Sequence, residues 1–213
     1  MSLAVRDVTV NLAGRHALDG VSFELDRGLA TLRGPNGSGK STLLGVIAGV
    51  VPVDNGEVTV CGHSLRRERV AALRSLAWVP ERPDLPGELS ASEGVELIAA
   101  LRGVAPPSSD VVTRFGLRDV YDSSRDAMSL GQRRRADLLG AFVGSPRVLL
   151  LDEPTNGLDA DTARWLVERL RAHAADGGLA LVATHDAPFA EALGGRALRL
   201  AAGRLTADAP PEG

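Results

Sequence analysis

Positions 34–42 read Gly34-Pro35-Asn36-Gly37-Ser38-Gly39-Lys40-Ser41-Thr42, a match to G-x-x-x-x-G-K-[ST] at every fixed position. Glycines without side chains let successive backbone N–H groups converge on one anion, and the start of a helix adds partial positive charge there. In such a cradle Lys40 reaches the β- and γ-phosphates of a nucleotide as a mobile point charge, and the Ser41 hydroxyl holds Mg²⁺. The plain alternative is a glycine-rich turn before an ordinary helix. It leaves one fact without a reason: of the 24 basic residues 23 are Arg, and the single Lys is Lys40. A second constellation lies at Val148-Leu149-Leu150-Leu151-Asp152-Glu153, an apolar run ending in two acids and stopped by Pro154. At the C-terminal end of a strand, where ligands bind in parallel sheets, Asp152 can hold Mg²⁺ and Glu153 can act as general base toward a water.

These groups need elements to hold them. Val21, Phe23 and Leu25 alternate with polar residues as in a half-buried strand, and Leu29–Arg33 predicts a second strand leading into the glycine-rich loop. The spacing predicts helices over Lys40–Ala48, from a Ser90-x-x-Glu93 capping box to about Leu101, over Gly131–Val143, and over Ala160–Ala175. Gly56–Cys61, Leu76–Val79, Arg147–Leu151, Leu179–Ala183 and Arg196–Leu200 read as strands, and Ala187–Leu193 as a short helix. The expected architecture is α/β: a P-loop NTPase core with an N-terminal antiparallel β subdomain and a helical subdomain inserted at about 82–129. Residues 1–206 form one domain in this reading, and 207–213 a flexible tail.

Composition bounds the rest. The chain has 213 residues, 24 basic against 27 acidic groups and a net charge of −3, which argues against a dedicated nucleic-acid binder. The lone Cys61 cannot form an internal bridge and, with no basic neighbour in sequence, reads as inert. No apolar run approaches the roughly 18 residues of a membrane span, so a soluble intracellular protein is expected. His16, His63 and His173 show no metal spacing, and Trp78 and Trp165 read as core or interface residues. The runs Arg66-Arg67-Glu68-Arg69 and Arg133–Arg135 read as solvated helix faces, with partner contacts as the alternative.

Taken together these motifs resemble the ATP-binding cassette ATPases, the nucleotide-binding subunits of ABC transporters. Met128-Ser129-Leu130-Gly131-Gln132 is similar to the family signature, usually Leu-Ser-Gly-Gly-Gln, and holds the only Gln of the chain. Thr155-Asn156-Gly157-Leu158-Asp159 resembles the D-loop, and His185 stands where the family's switch histidine follows a strand. The resemblance implies a head-to-tail dimer, homodimeric or heterodimeric, in which each ATP lies between one P-loop and the partner's signature. Ser129, Gly131, Gln132 and Asp159 would then contact nucleotide across the dimer, and His185 would sense the γ-phosphate from its own side.

Three positions depart from the family pattern. Leu130 replaces a glycine and leaves one for close backbone approach. Glu81 stands in place of the Q-loop Gln, where a carboxylate can still face Mg²⁺ or water. The aromatic that stacks on adenine, expected near Leu12, is missing, and Arg15 or His16 is left to cover the base. By the same resemblance a separate transmembrane permease subunit docks on Pro80–Leu89 and the helical insertion, with the ATPase held on the inner face of the cell membrane. The compact insertion and the lack of a following regulatory domain favour an exporter-type subunit. The alternative is a soluble, non-transport member acting on nucleic acid, ribosomes or cofactor assembly. A GTPase reading fails because Asn-Lys-x-Asp recognition of guanine needs a second Lys, and a small-molecule kinase would not need the signature.

Overall fold

The computed structural model describes residues 2–12 and 14–209. Strands β7 (Val148–Asp152) and β8 (Leu179–Ala183) are buried at every position. Side chains alternate along a strand, so each run feeds two cores. Val148 and Leu150 of β7 join Leu179, Leu181 and Ala183 of β8 in one core, while Leu149, Leu151, Ala180 and Val182 enter the other. Strands covered on both faces belong inside a parallel sheet. With β3 (Gly28–Arg33), β6 (Leu76–Val79), β9 (Arg196–Ala201) and β10 (Arg204–Ala209) they form a six-stranded sheet of order β10-β9-β3-β8-β7-β6. All pairings are parallel except that of the edge strand β10 with β9.

A second, antiparallel sheet has the order β2-β1-β4-β5, from β1 (Leu3–Leu12), β2 (Arg15–Leu25), β4 (Asn55–Val60) and β5 (His63–Ser64). Its inner residues, among them Val5, Val8, Leu18 and Val21, share the first core with Leu43, Leu44 and Ile47 of helix α1 (Lys40–Ile47). Helix α1 lies between the sheets, touching β2 on one side and β7 on the other. The second core packs α6 (Ala160–Ala175) and α7 (Ala187–Leu193) against the opposite face through Leu166, Leu170 and Phe189. Between β6 and α5 (Leu130–Phe142) the chain carries α3 (Ala91–Arg102), α4 (Ser109–Arg114) and a 3₁₀ turn at Arg125–Ala127. Val95, Ala99, Phe115, Leu138 and Leu139 fix this helical insertion to the second core. The capping box is formed: the Ser90 hydroxyl accepts from Glu93 N (3.1 Å), and the Glu93 carboxylate accepts from Ser90 N (2.8 Å).

The structure adds elements the sequence pattern conceals. Strand β1 escapes a period-two search because Arg6 and Asp7 are both exposed, and Asp7 adopts φ 50°, where the register with β2 and β4 shifts. Strand β2 starts at Arg15 rather than Val21, and a short helix α2 spans Arg69–Arg74. Strand β10 runs three residues into the segment read as a tail, and 210–213 of that tail lie outside the described residues. No helix among the described residues is long and apolar enough to cross a membrane.

Candidate active site

Register brings the chemistry together. Leu32 of β3 and Asp152 of β7 both stand opposite Ala183, and Val79 of β6 stands opposite Leu151. Four adjacent strands therefore end at one edge, delivering the 34–41 loop, His185, Asp152-Glu153 and Glu81 side by side. They border a cleft of about 360 Å³ lined by Lys40, Ser41, Glu81, Asp152, Glu153 and His185, with Asn36, Gly37, Gly39 and Thr42 of the loop.

The loop is close-packed from behind. Gly39 takes φ 104°, and a Cβ there would lie 2.6 Å from the Ala17 carbonyl of β2, so only glycine fits. A Cβ on Gly34 would likewise run into the Leu200 carbonyl. No side chain caps α1 and no acid occupies its first turn, so its opening amides are left for an anion at the cleft. Lys40 is buried, its Nζ donating to the carbonyls of Gly34 (2.8 Å) and Pro35 (3.3 Å). Ser38 is buried within the loop.

Opposite stands an excess of negative charge. Burial pushes the Asp152 carboxyl above the usual carboxylate range; a hydrogen bond with Ser41 and the charge of Lys40 oppose this, and Glu153 and Glu81 reinforce it. Among the described residues no three His, Cys, Asp or Glu side chains could hold a metal by themselves. A divalent cation here would draw on one or two carboxylates, Ser41, water and phosphate oxygens, the coordination that Mg²⁺ favours.

Glu153 follows the last residue of β7 and turns away from the sheet at φ 45°, its N–H donating to Ala183 O (2.8 Å). Its carboxylate is nearly buried and meets the exposed His185 twice: Oε1 lies 2.9 Å from Nδ1, and Oε2 accepts from the backbone N–H at 3.2 Å. That hydrogen bond, seconded by the Glu153 charge, raises the His185 pKa above its ordinary value.

The signature residues lie elsewhere. Ser129 caps α5 in a second capping box, accepting from Gln132 N (3.2 Å) while the Gln132 Oε1 accepts from Ser129 N (2.8 Å). A Cβ on Gly131 would sit 2.6 Å from the Gly157 carbonyl, so the signature and D-loop segments pack backbone to backbone. Leu130 packs against Gly157 and is otherwise exposed. Asp159 caps α6, accepting from Thr162 N (2.8 Å). None of Ser129, Gly131, Gln132 and Asp159 lines the cleft of their own chain. Nor do Leu12, Arg15 or His16; Ala17 is the residue of that region that does.

Two buried arginines went unnoticed in sequence. The reading of Arg133–Arg135 as a solvated face fails at Arg134, which is 3% exposed. Arg134 is four residues before Leu138 and seven before Ala141, both buried, so helical periodicity places it on the core face of α5. Arg125 is buried in an ion pair with Asp137 (2.8 Å).

Comparison with known proteins agrees with this geometry. A sequence profile of the family described as "ABC transporter" matches residues 18–156. A Bacillus subtilis protein named "Uncharacterized ABC transporter ATP-binding protein YhcH" is 33% identical over 84% of this chain, which spans only 60% of that relative's length. The "Cytochrome c biogenesis ATP-binding export protein CcmA" of Cupriavidus necator is 37% identical over 93% of this chain and 87% of its own. Among solved structures, one titled "Structure of ATP binding subunit of ABC transporter" superposes with a TM-score of 0.90 at 28% identity, covering 98% of this chain and 90% of that one. A dimeric ATP-binding cassette bound to ADP and Pi shares the fold, with a TM-score of 0.88 at 24% identity over 99% of both chains.

Proposed function

We infer the activity from the premise that this chain belongs to the ABC transporter family: it binds and hydrolyses ATP and drives a separate transmembrane partner. The observation that carries this is the cleft itself, where a glycine-walled anion cradle with Lys40 faces a nearly buried carboxylate, Glu153, held by His185. The loop from Gly34 to Thr42 would cradle the β- and γ-phosphates of ATP, with the Lys40 ammonium leaving its two carbonyl partners for phosphate oxygens. Ser41 and Asp152 would hold Mg²⁺, with Glu81 facing it; the ion neutralises charge on the β- and γ-phosphate oxygens. The raised proton affinity of Asp152 fits such a site, because burial and the charges of Glu153 and Glu81 outweigh the Ser41 hydrogen bond and the Lys40 charge.

Glu153 acts as general base. It orients a water for attack on the γ-phosphorus and takes its proton as the P–O bond to ADP breaks. His185 fixes the direction of that carboxylate and is placed to meet the γ-phosphate. Ser129, Gly131, Gln132 and Asp159 do not line the cleft of their own chain and would serve a second copy, giving a head-to-tail dimer with two composite sites. We assign the protein to the inner face of the cell membrane through its partner, and to export, in line with the relatives named as export proteins.

A positioned general base contributes about 10²–10⁴ in rate. Glu153→Gln is therefore expected to cut steady-state turnover at least about 100-fold while MgATP still binds. Lys40→Ala is expected to abolish ATP binding, since the phosphates lose their counterion. Turnover retained in the first, or affinity retained in the second, would overturn the assignment of that residue.

A further inference from the structure

Among the described residues, Arg134 is the one buried basic side chain with a hydrogen bond to the backbone of the candidate base. It is 3% exposed, and its guanidinium donates to four main-chain carbonyls. Nη1 bonds Pro80 O (2.8 Å), Nη2 bonds Glu153 O (2.7 Å) and also Asp152 O, and Nε lies 3.3 Å from Pro154 O. Three of these carbonyls are consecutive. They belong to the segment where Glu153, at φ 45°, takes the chain out of the sheet, and where the Glu153 carbonyl also accepts from the Asn156 N–H (3.2 Å). The fourth belongs to the residue before Glu81, at the exit of β6. Burial alone would tend to strip the Arg134 proton, but the nearby charges of Asp137, Asp152, Glu81 and Glu153 favour the cation. A planar fork with several fixed N–H donors suits this task; an ammonium on a flexible stem does not.

We propose that Arg134 is a positioning residue for hydrolysis: by gathering the carbonyls of Asp152, Glu153 and Pro154 it holds Glu153 in its left-handed backbone conformation, so that the carboxylate faces the cleft. Through Pro80 the same guanidinium sets the Glu81 segment relative to the base, and through its own helix it ties both to Ser129, five residues earlier. A residue in this role acts on the base and not on ATP itself, so it alters the chemical step and spares binding. The role rests on Glu153 being the base.

The test is a double-mutant cycle on the full chain with Arg134→Met, Arg134→Lys and Glu153→Gln, measuring kcat, MgATP affinity and the unfolding midpoint of each. Arg134→Met is expected to lower kcat at least about tenfold with MgATP affinity within about threefold of wild type, and Arg134→Lys to restore only part of the loss. In the Glu153→Gln background, Arg134→Met is expected to remove less than about threefold more, because a positioner has nothing left to position. Losses of equal size in both backgrounds, or a loss of affinity matching the loss of turnover, would make Arg134 a structural residue and overturn the proposal. If the Met variant does not fold, the Lys variant runs the same cycle. A Glu153→Gln enzyme with wild-type turnover is a different failure: it removes the base, and with it this role.

Discussion

At the scale of single residues the site turns on an unequal pair. The Glu153 side chain is 8% exposed and the His185 side chain 66%, so the carboxylate is fixed and the imidazole is the partner that titrates in contact with solvent. The hydrogen bond from His185 to Glu153 raises the imidazole pKa above 6.5. The imidazolium, and whatever stability the pair contributes, is thus fully present below the unfolded-state value and lost as pH rises through the higher folded value. Solvent exposure keeps that stability small, so the sign is best read from the proton itself. In an NMR titration the His185 midpoint is expected above 6.5 in the wild type and closer to 6.5 in Glu153→Gln. A wild-type midpoint at or below 6.5 would show that the pair does not persist in solution. Lys40, Asp152 and Glu153 announce their chemistry in sequence by residue type and spacing, whereas His185 enters only through the family resemblance; the structure brings all four to one cleft. Arg134 was not legible, since one buried Arg inside a run of three looks like its neighbours until the phase of α5 is known.

Elements carry two duties at once, and Ser129 shows how to separate them. Its hydroxyl caps α5, and in the proposed dimer the same position faces the partner's γ-phosphate. Asp caps a helix about as well as Ser, whereas Ala costs about 1 kcal/mol. Ser129→Asp is therefore expected to keep the unfolding free energy within about 0.5 kcal/mol of wild type. Its negative charge should nevertheless prevent the MgATP-driven dimer in a Glu153→Gln background, as seen by sedimentation. A dimer that forms unchanged would remove Ser129 from the interface. The apolar runs of β7 and β8 and the capping box of α3 could be read directly, because each follows from one local rule. Strand β1 could not: two consecutive exposed residues and a left-handed Asp7 break the alternation that defines a strand in sequence.

For the whole molecule, the sequence pattern led to an α/β core with an antiparallel sheet and a helical insertion. The stacking of the two sheets about α1 depends on contacts far apart in the chain. No helix among the described residues is long and apolar enough to cross a membrane, and the proposed transport role assigns that work to a separate chain. Tagged Glu153→Gln protein, captured from detergent-solubilised cells with MgATP, is expected to bring down a polytopic membrane protein in stoichiometric amount. Ribosomal or nucleic-acid assemblies in its place would favour the non-transport reading. The strand order has a consequence for synthesis. Strand β3, which leads into the phosphate loop, pairs with β8 and β9 and with no strand encoded before them. During translation the loop emerges early, yet its strand acquires a neighbour only after residue 179 has been made. The nucleotide cleft is thus among the last parts of the nascent chain to take shape, and until then Ala30 and Leu32 of β3 depend on the antiparallel sheet and α1 for cover.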